Sequence, residues 1–470
     1  MARFVAIASA LALACAAHGA SRVYEYSPDA PRSERFSLSV DGKDCLVYPA
    51  GGAGDVAPFD IDGAAKLRVK YFDDIKTAAV RPLSKNVKIE KAGAREIEFS
   101  IAGPCNLAVE INGRDRPLFV FANPPAKPPA KRANSVVFRA GKIYDAGLGK
   151  KIASDTSVVV EGGAIVYGTF VAGDPKTAEP TRNISLSGNG IISGETIPRP
   201  QERREITFLK TKSLEVSGIT VVHPTNWTLA LFACESVKID NVKVVSDSPR
   251  DDGIDLVSCK NAAVENCFLR TRDDCIAVKA GVSYGGIKFF EMGVDASSEN
   301  ILVKNCALWN GIWGNALEIG FETRGDEIKN VSFENIDILR TLGTGGDEGV
   351  FTIHNGDRAK ISNVLYKDIR VEEAEGYAVN IRVLHSRYSK DKERGSVSGV
   401  RFENVSVHSE KPLKMKIEGF GENSAAEDVV FENFSINSAP LKADDIPPSE
   451  FAGRISVSES GAKNVKKQKP

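Results

Sequence analysis

Two short aspartate-rich segments carry residues that could perform acid–base chemistry. The first spans residues 251–255 (DDGID) and the second spans 272–276 (RDDCI). Asp252 precedes Asp273 by 21 residues and Asp274 by 22. Carboxylates held close together raise one another's pKa, which provides an acid and a base side by side. Hydrolysis of a glycosidic bond needs that combination, so these three aspartates are candidate catalytic residues. A calcium site or a set of turn-capping aspartates is the alternative.

The elements that must position these aspartates are short strands that repeat along the chain. Each copy of the repeat consists of a strand in which apolar and polar residues alternate, an asparagine or aspartate at the corner, and a second strand. Copies start at residues 183, 213, 236, 261, 300, 330, 363, 399 and 428. Such irregular, strand-rich repeats predict a parallel β-helix, because most are shorter than the ~40–45 residues of a propeller blade. One coil then separates the two aspartate segments, and neighbouring rungs lie ~4.8 Å apart.

The composition of the remaining chain predicts further segments. Alternating apolar and polar residues over 21–123 predict a small antiparallel β-sandwich, and the prolines of 124–134 predict a stiff linker. The β-helix is expected over 135–445, followed by a tail over 446–470. No chemistry is identified in the first of these domains.

The N-terminus reads as a leader. Residues 1–20 hold Arg3, an apolar stretch and then small residues, which is the layout of a secretory signal peptide. We therefore expect a secreted or periplasmic protein, with a lipid anchor at Cys15 as the alternative. No other segment has the ~20 apolar residues of a membrane span, so no transmembrane segment is predicted.

Charge and cysteine usage exclude several classes of function. The chain has 61 basic and 62 acidic residues, without the basic face that a nucleic-acid partner requires. Seven cysteines follow the leader, an odd number without CxxC spacing, which argues against a disulfide framework and a zinc site. Cys45 and Cys105 could still pair. We expect a polysaccharide substrate, a monomer, and neither a metal nor another cofactor.

The two aspartate segments resemble the motifs of the polygalacturonase family, glycoside hydrolase family 28. The resemblance is carried by residues 252–255 (DGID), 273–279 (DDCIAVK) and, one coil earlier, 224–229 (PTNWTL). It covers about residues 135–440. The resemblance implies an all-β, right-handed parallel β-helix of the pectin-lyase-like type, an inverting mechanism and no metal.

The resemblance also implies roles for individual residues. Asp273 would be the general acid, and Asp252 and Asp274 would position and deprotonate the water. Three tryptophans lie in the coils around these aspartates, and aromatic faces suit sugar rings, although each could equally pack the coil ends. The candidate substrate-binding residues are Asn226, Trp227, Lys279, Trp313, Asn315, Glu318, His354 and Arg382.

This sequence departs from the family pattern in three places. Asn315 stands where the family has a histidine, and a loop over 281–295 is inserted. The Arg-x-Lys pair that binds a galacturonate carboxylate in the family is absent from the corresponding strand, which ends in His354. Either His354 and Arg382 rebuild that subsite, or the substrate is another, neutral glycan.

The sequence is also compatible with three other functions. The dextranase and isopullulanase family also joins a β-sandwich to a β-helix, so a neutral α-glucan is an alternative substrate. A calcium-dependent polysaccharide lyase could use Arg250, Arg272, Lys279 or Arg382 as its base. A non-catalytic glycan-binding solenoid is the third possibility. A pectic polysaccharide hydrolase is the function that the residues favour.

Overall fold

Alternating burial along the N-terminal strands produces a two-sheet sandwich. We describe a computed structural model that covers residues 20–458 without 129, 178, 199–203, 283–295 and 344–345, and the backbone of 464–466. The expected leader, Cys15 and most of the inserted loop lie outside the described residues. Every second residue of Phe36–Val40 and of Ala65–Tyr71 is buried, as a half-buried strand requires.

The sandwich contains eleven strands. One sheet holds β1 (Ala20–Arg22), β4 (Tyr48–Pro49), β5 (Asp55–Asp62), β7 (Ala78–Arg81), β10 (Cys105–Ile111) and β11 (Leu118–Asn123). The other holds β2 (Phe36–Val40), β3 (Lys43–Cys45), β6 (Ala65–Tyr71), β8 (Ile89–Ala92) and β9 (Glu96–Ile101). All pairings are antiparallel except the parallel pair β5–β11. Short 3-10 helices span Gly51–Ala53, Leu83–Lys85 and, much later, Ala443–Asp445.

From residue 134 onward the described chain winds into a right-handed parallel β-helix, which confirms the predicted fold class. Its strands form one continuous ladder of 29 strands with three faces, sheets A, B and C. Sheet A holds β12 (Asn134–Phe138), β14 (Thr156–Val160), β16 (Thr181–Ser187), β19 (Thr211–Ser217), β22 (Glu235–Asp240), β25 (Lys260–Glu265), β28 (Ser298–Lys304), β31 (Glu327–Arg340), β33 (Lys360–Val371), β35 (Ser396–Val407), β37 (Ala426–Ile436) and β39 (Ile455–Ser458).

Sheets B and C complete each coil. Sheet B holds β13 (Ile143–Ile152), β15 (Ile165–Ala172), β17 (Ile191–Ser193), β20 (Thr220–Val222), β23 (Lys243–Val245), β26 (Phe268–Thr271) and β29 (Ala307–Asn310). The long strands β31, β33, β35 and β37 bend at the corner, and their second halves continue sheet B. Sheet C holds β18 (Ile206–Leu209), β21 (Leu229–Phe232), β24 (Ile254–Val257), β27 (Ile276–Ala280), β30 (Leu317–Thr323), β32 (Gly349–Asn355), β34 (Tyr377–Val383) and β36 (Lys414–Glu418). At the C-terminal end, two short strands pair antiparallel with the strands before them: β38 (Ala439–Pro440) with β37, and β40 (Asn464–Lys466) with β39.

Asparagine residues form the corner between sheets A and B. Asn241, Asn266, Asn305 and Asn335 have φ values of 53°, 58°, 56° and 50°, the left-handed region that asparagine tolerates better than most residues. Their side chains also bond between coils, since the Asn335 amide donates to the Asn305 carbonyl oxygen at 2.7 Å. The corner role predicted for asparagine is confirmed.

Buried side chains stack along the helix axis. The rings of Phe333, Tyr366, Phe402 and Phe431 lie in one column with centroid separations of 5.0, 4.8 and 4.8 Å. All seven cysteines of the described chain are free thiols. The suggested bridge between Cys45 and Cys105 is therefore absent, and the buried thiols act as small apolar side chains.

The sandwich packs directly against the outside of the β-helix. Phe119 lies 5.3 Å from Phe268 and 6.0 Å from Trp309 between ring centroids. An ion pair of 2.5 Å joins Arg81 of the sandwich to Glu372 of the β-helix. Within the described residues, no helix is long and apolar enough to cross a membrane.

Candidate active site

The candidate aspartates lie in the turns that lead into sheet C. Ile254 of β24 pairs in register with Ile276 of β27, and Asp252 and Asp274 each stand two residues earlier. The Gly253 N–H donates to the Asp274 carbonyl at 2.8 Å, which holds the two turns together. The 22-residue spacing is therefore one coil, and it stacks Asp274 on Asp252.

The ammonium group of Lys279 lies at the centre of four carboxylates. Its Nζ is 3.7 Å from Asp252, 3.8 Å from Asp255, 3.9 Å from Asp274 and 3.4 Å from Glu322. Burial alone would favour the neutral amine, but the carboxylates outweigh it and hold the pKa of Lys279 well above its ordinary value. We call Lys279 and these four residues the carboxylate cluster.

Three carboxyls of the carboxylate cluster, those of Asp252, Asp255 and Asp274, resist ionisation. Burial, followed by the charges of Asp255 and Asp273, raises the pKa of Asp252 well above its ordinary value. Burial also raises the pKa of Asp255 to about 7, although Lys279 opposes the shift. Because several carboxyls share one ammonium group, part of the cluster carries protons at neutral pH.

Asp273 is the most open of the three candidate catalytic residues. Among the described residues its side chain accepts one hydrogen bond, from the Asp274 N–H at 3.1 Å, and no side chain donates to it. Burial raises the pKa of Asp273, while the positive charges of Lys279 and Arg250 oppose the shift. A partly exposed carboxyl that holds its proton longer than usual suits a general acid.

Asp274 is held by the residue that replaces the family histidine. The Asn315 backbone N–H and side-chain amide both donate to Asp274 Oδ1, at 2.7 and 2.9 Å. The Asn315 side-chain oxygen accepts from the Gly349 N–H at 3.0 Å, which fixes the orientation of the amide. These bonds favour the ionised form of Asp274, although burial keeps its pKa well above the ordinary value.

Asp251 has a structural role. Its carboxylate accepts the backbone N–H groups of Ser248, Arg272 and Asp273 at 3.0, 2.8 and 2.8 Å. These bonds tie two consecutive turns together and fix the backbone of Asp273. The turn-capping interpretation thus holds for Asp251.

Glu318 and His354 form a buried pair on the outer face of sheet C. His354 Nδ1 donates to Glu318 at 3.0 Å, and its Nε2 accepts from the Asn380 amide at 3.0 Å. Thr352 also donates to Glu318. Both Glu318 and His354 have 0% exposed side chain, and the ring of Phe321 covers His354 at 4.2 Å. Neither presents an accessible atom to a substrate in this structure.

Arg382 is already paired with two carboxylates. Its guanidinium lies 2.9 Å from Asp347 and 3.1 Å from Glu418. In this structure His354 is buried and the charge of Arg382 is already balanced by two carboxylates. Neither residue is therefore placed to replace the family's galacturonate-binding pair.

The tryptophans fall into two groups. Trp227 lies beside the cluster, with Lys279 Nζ at 4.8 Å and the Arg204 guanidinium at 4.4 Å from its ring. Trp313 is 47% exposed and stands next to the aspartate turns. Trp309 is 3% exposed and packs against the sandwich, so it stabilises the domain contact and offers no sugar platform. Asn226 closes a local turn, its side chain accepting the next residue's N–H at 2.8 Å.

Two carboxylates of the cluster were not among the candidates from sequence. Asp255 is the last residue of the DGID segment and directly follows the core residue Ile254. Its side chain therefore lies on the opposite face of the strand from the core. Glu322 has no sequence signal, because only the fold brings it to Lys279.

The chain is similar in sequence to curated polygalacturonases. A polygalacturonase of Juniperus ashei is 27% identical over 187 residues, which are 39% of this chain and 33% of the relative. The chain spans about a third to a half of the length of the first curated relatives it matches.

Solved structures support the fold. Dex49A from Penicillium minioluteum has a TM-score of 0.61 at 14% identity, over 90% of this chain and 92% of that one. An exopolygalacturonase from Thermotoga maritima has a TM-score of 0.50 at 18% identity, over 72% and 87%. At these identities the likeness concerns the fold alone. The family model for glycosyl hydrolases family 28 matches residues 184–448, more than half of the chain, which therefore belongs to this family of glycoside hydrolases.

Proposed function

We propose that this chain hydrolyses the glycosidic bonds of a pectic polysaccharide by an inverting acid–base mechanism. The observation that carries the proposal is the stacking of the two aspartate turns around Lys279, with Asp273 open beside buried Asp252 and Asp274. The polygalacturonases among its relatives support the pectic substrate.

Each aspartate has a distinct task in this mechanism. Asp273 gives its proton to the leaving glycosidic oxygen as the bond from that oxygen to the anomeric carbon breaks. Asp274, oriented by Asn315, and Asp252 take a proton from a water that attacks the same carbon from the opposite face. The product is a new reducing end with inverted configuration.

The remaining parts of the proposal concern location and partners. We infer from the leader-like residues 1–20 that the protein acts outside the cytoplasm, where polysaccharide is available. The chain's own carboxyls supply both proton transfers, so the proposed mechanism requires no cofactor. All three aspartates belong to one chain, so the mechanism is compatible with a monomer.

The test is release of reducing sugar from polygalacturonate and from neutral polysaccharides by wild type and Asp273→Asn. We expect kcat to fall by roughly 10²- to 10⁴-fold in the variant, with an unchanged unfolding midpoint. Proton NMR of the first product should show the inverted anomer. Full activity of Asp273→Asn, or an unsaturated product that absorbs ultraviolet light, would contradict the proposal.

A further inference from the structure

Lys279 and Arg382, two cations near the aspartates, are already paired with carboxylates. Lys279 is enclosed by four carboxylates, and Arg382 is paired with two. At the family's clamp positions stand Thr352 and His354, both buried. An acidic sugar therefore needs other cations to balance the negative charge of the cluster.

Two arginines directly precede the aspartate motifs and occupy the same position on consecutive turns. Arg250 and Arg272 each stand four residues before the paired residues Ile254 and Ile276. On the next coil, Trp313 stands four residues before Leu317, which pairs with Ile276, and its N–H donates to the Arg272 carbonyl at 2.9 Å. Arg250, Arg272 and Trp313 thus form one column, with neighbours ~4.8 Å apart along the helix axis.

The guanidinium groups of Arg250 and Arg272 are available to bind an anion. Arg250 is exposed and Arg272 half-buried, and neither has an ion pair or a side-chain hydrogen bond among the described residues. The backbone of Arg272, by contrast, is fixed, because its N–H donates to the carboxylate of Asp251 at 2.8 Å. Two like charges one rung apart repel each other, and a bound anion would relieve that repulsion.

We propose that Arg250 and Arg272 bind the carboxylate of a galacturonate residue beside the catalytic aspartates, with Trp313 as the adjoining sugar platform. The inference rests on the proposed function and names the charge of the sugar that the site selects. A guanidinium matches a carboxylate with two parallel N–H donors, and an exposed indole face can cover a pyranose ring. The clamp has thereby moved from the outer face of sheet C to the turns that carry the aspartates.

The test uses two polymers with the same backbone, polygalacturonate and its fully methyl-esterified form, in which a methyl group removes the charge of each sugar. The double variant Arg250→Gln/Arg272→Gln should raise KM for polygalacturonate by roughly 10- to 100-fold. The change in kcat/KM for the ester, which lacks the carboxylate, should be several times smaller and reflect only the loss of the Arg250 charge near Asp273. The double variant Arg250→Lys/Arg272→Lys keeps the charge without the fork and should recover part of the loss. Arg401→Gln, an exposed arginine on β35, is the matched control.

Each remaining outcome overturns the inference in a distinguishable way. An equal loss on both polymers would mean that the arginines only offset the charge of the aspartates. No loss on either polymer, or a wild type that cleaves only the ester, would remove the clamp and leave the hydrolase in place. Absence of Asp273-dependent release from every polymer would overturn the proposed function and this inference with it.

Discussion

At the scale of single residues, Asn315, which stands where the family pattern leads one to expect a histidine, holds Asp274 in place. Its amide gives Asp274 a hydrogen bond of 2.9 Å, and its carbonyl oxygen accepts from the next coil at 3.0 Å. An asparagine cannot change its charge with pH, so it stabilises the ionised Asp274 at any pH. The substitution is thus compatible with a working site.

Asn315→Ala should therefore lower activity without abolishing it. A hydrogen bond to a charged group contributes ~1.5–3 kcal/mol, which corresponds to a fall in kcat of roughly tenfold or more. Loss of the bond raises the pKa of Asp274, so the acid limb of the pH–rate profile should move to higher pH. A profile measured on polygalacturonate checks this, with Asn433→Ala, an asparagine on β37 distant in sequence, as the control. An unmoved acid limb would mean that Asp274 does not act as the base.

Lys279→Met should affect both the pH profile and the stability. Without the ammonium group, the pKa values of the surrounding carboxyls rise further, and activity should require higher pH. A carboxyl whose pKa is raised in the folded state stabilises it at low pH and loses that contribution as the pH rises. The stability deficit should thus be larger near pH ~7 than near pH ~4, and of the order of 3–5 kcal/mol for a broken buried pair.

Urea unfolding at the two pH values measures this deficit. Lys416→Met, which removes a half-buried partner of Glu418, is the matched control and should show a small, pH-independent change. An equal deficit at both pH values would mean that the loss of packing outweighs the loss of charge.

The closeness of the aspartates to one another could be predicted from sequence because their motifs are contiguous and one coil apart. The surroundings of Lys279 could not, because Glu322, near the end of β30, reaches it only through the irregular register between β27 and β30. His354 and Arg382 were predicted as substrate contacts from position alone. Their burial and ion pairs depend on Phe321, Asp347 and Glu418, which carry no sequence pattern.

At the scale of elements, asparagine ladders fix the register of the coils. Asn300, Asn330 and Asn363 each donate to the asparagine of the preceding coil, at 2.9, 2.8 and 2.7 Å. Asn330 has a φ of 56°, which combines a strained backbone with two ladder bonds. Replacing it by glycine or alanine separates these two contributions.

Asn330→Ala should destabilise the protein more than Asn330→Gly. Alanine loses both ladder bonds and also pays ~1–2 kcal/mol for a left-handed backbone, whereas glycine adopts that backbone freely. The free energy of unfolding in urea measures the difference. Equal values for the two variants would mean that the corner relaxes when the ladder is broken.

The repeats predicted sheets A and B well, because the copies fall on strand pairs such as β19–β20 and β22–β23. The repeats did not predict β12 to β15, because no asparagine stands at the corner of these first coils. They also did not reveal the parallel pair β5–β11 in the sandwich, since period-two alternation is the same for parallel and antiparallel neighbours.

At the scale of the whole molecule, the two domains share a buried contact that composition alone did not predict. Phe119 and Phe121 of the sandwich pack on Phe268 of the β-helix at 5.3 and 5.4 Å. A lysine is also buried there: Lys243 Nζ donates to the Asn123 side-chain oxygen at 2.6 Å. Because Asn123 ends the last sandwich strand, this bond joins the domains directly.

The buried Lys243 should make the stability of the whole protein depend on pH. Burial lowers its pKa to about 7 from an ordinary 10.5, although Cys267, Asp60 and Asp240 oppose the shift. Between these values the unfolded chain binds a proton that the folded chain does not, so the folded state gains stability as the pH rises. Lys243→Met should remove this gain. The free energy of unfolding of wild type minus that of the variant, measured in urea, should increase from about pH 7 to about pH 9.

The control is Lys212→Met, which removes an exposed partner of Glu235. Its free energy of unfolding should change with pH in parallel with that of wild type. If Lys243→Met also runs parallel, its three oxygen acceptors at 2.6, 2.6 and 2.9 Å keep the amine charged, and the domain contact is held by a permanent ammonium group.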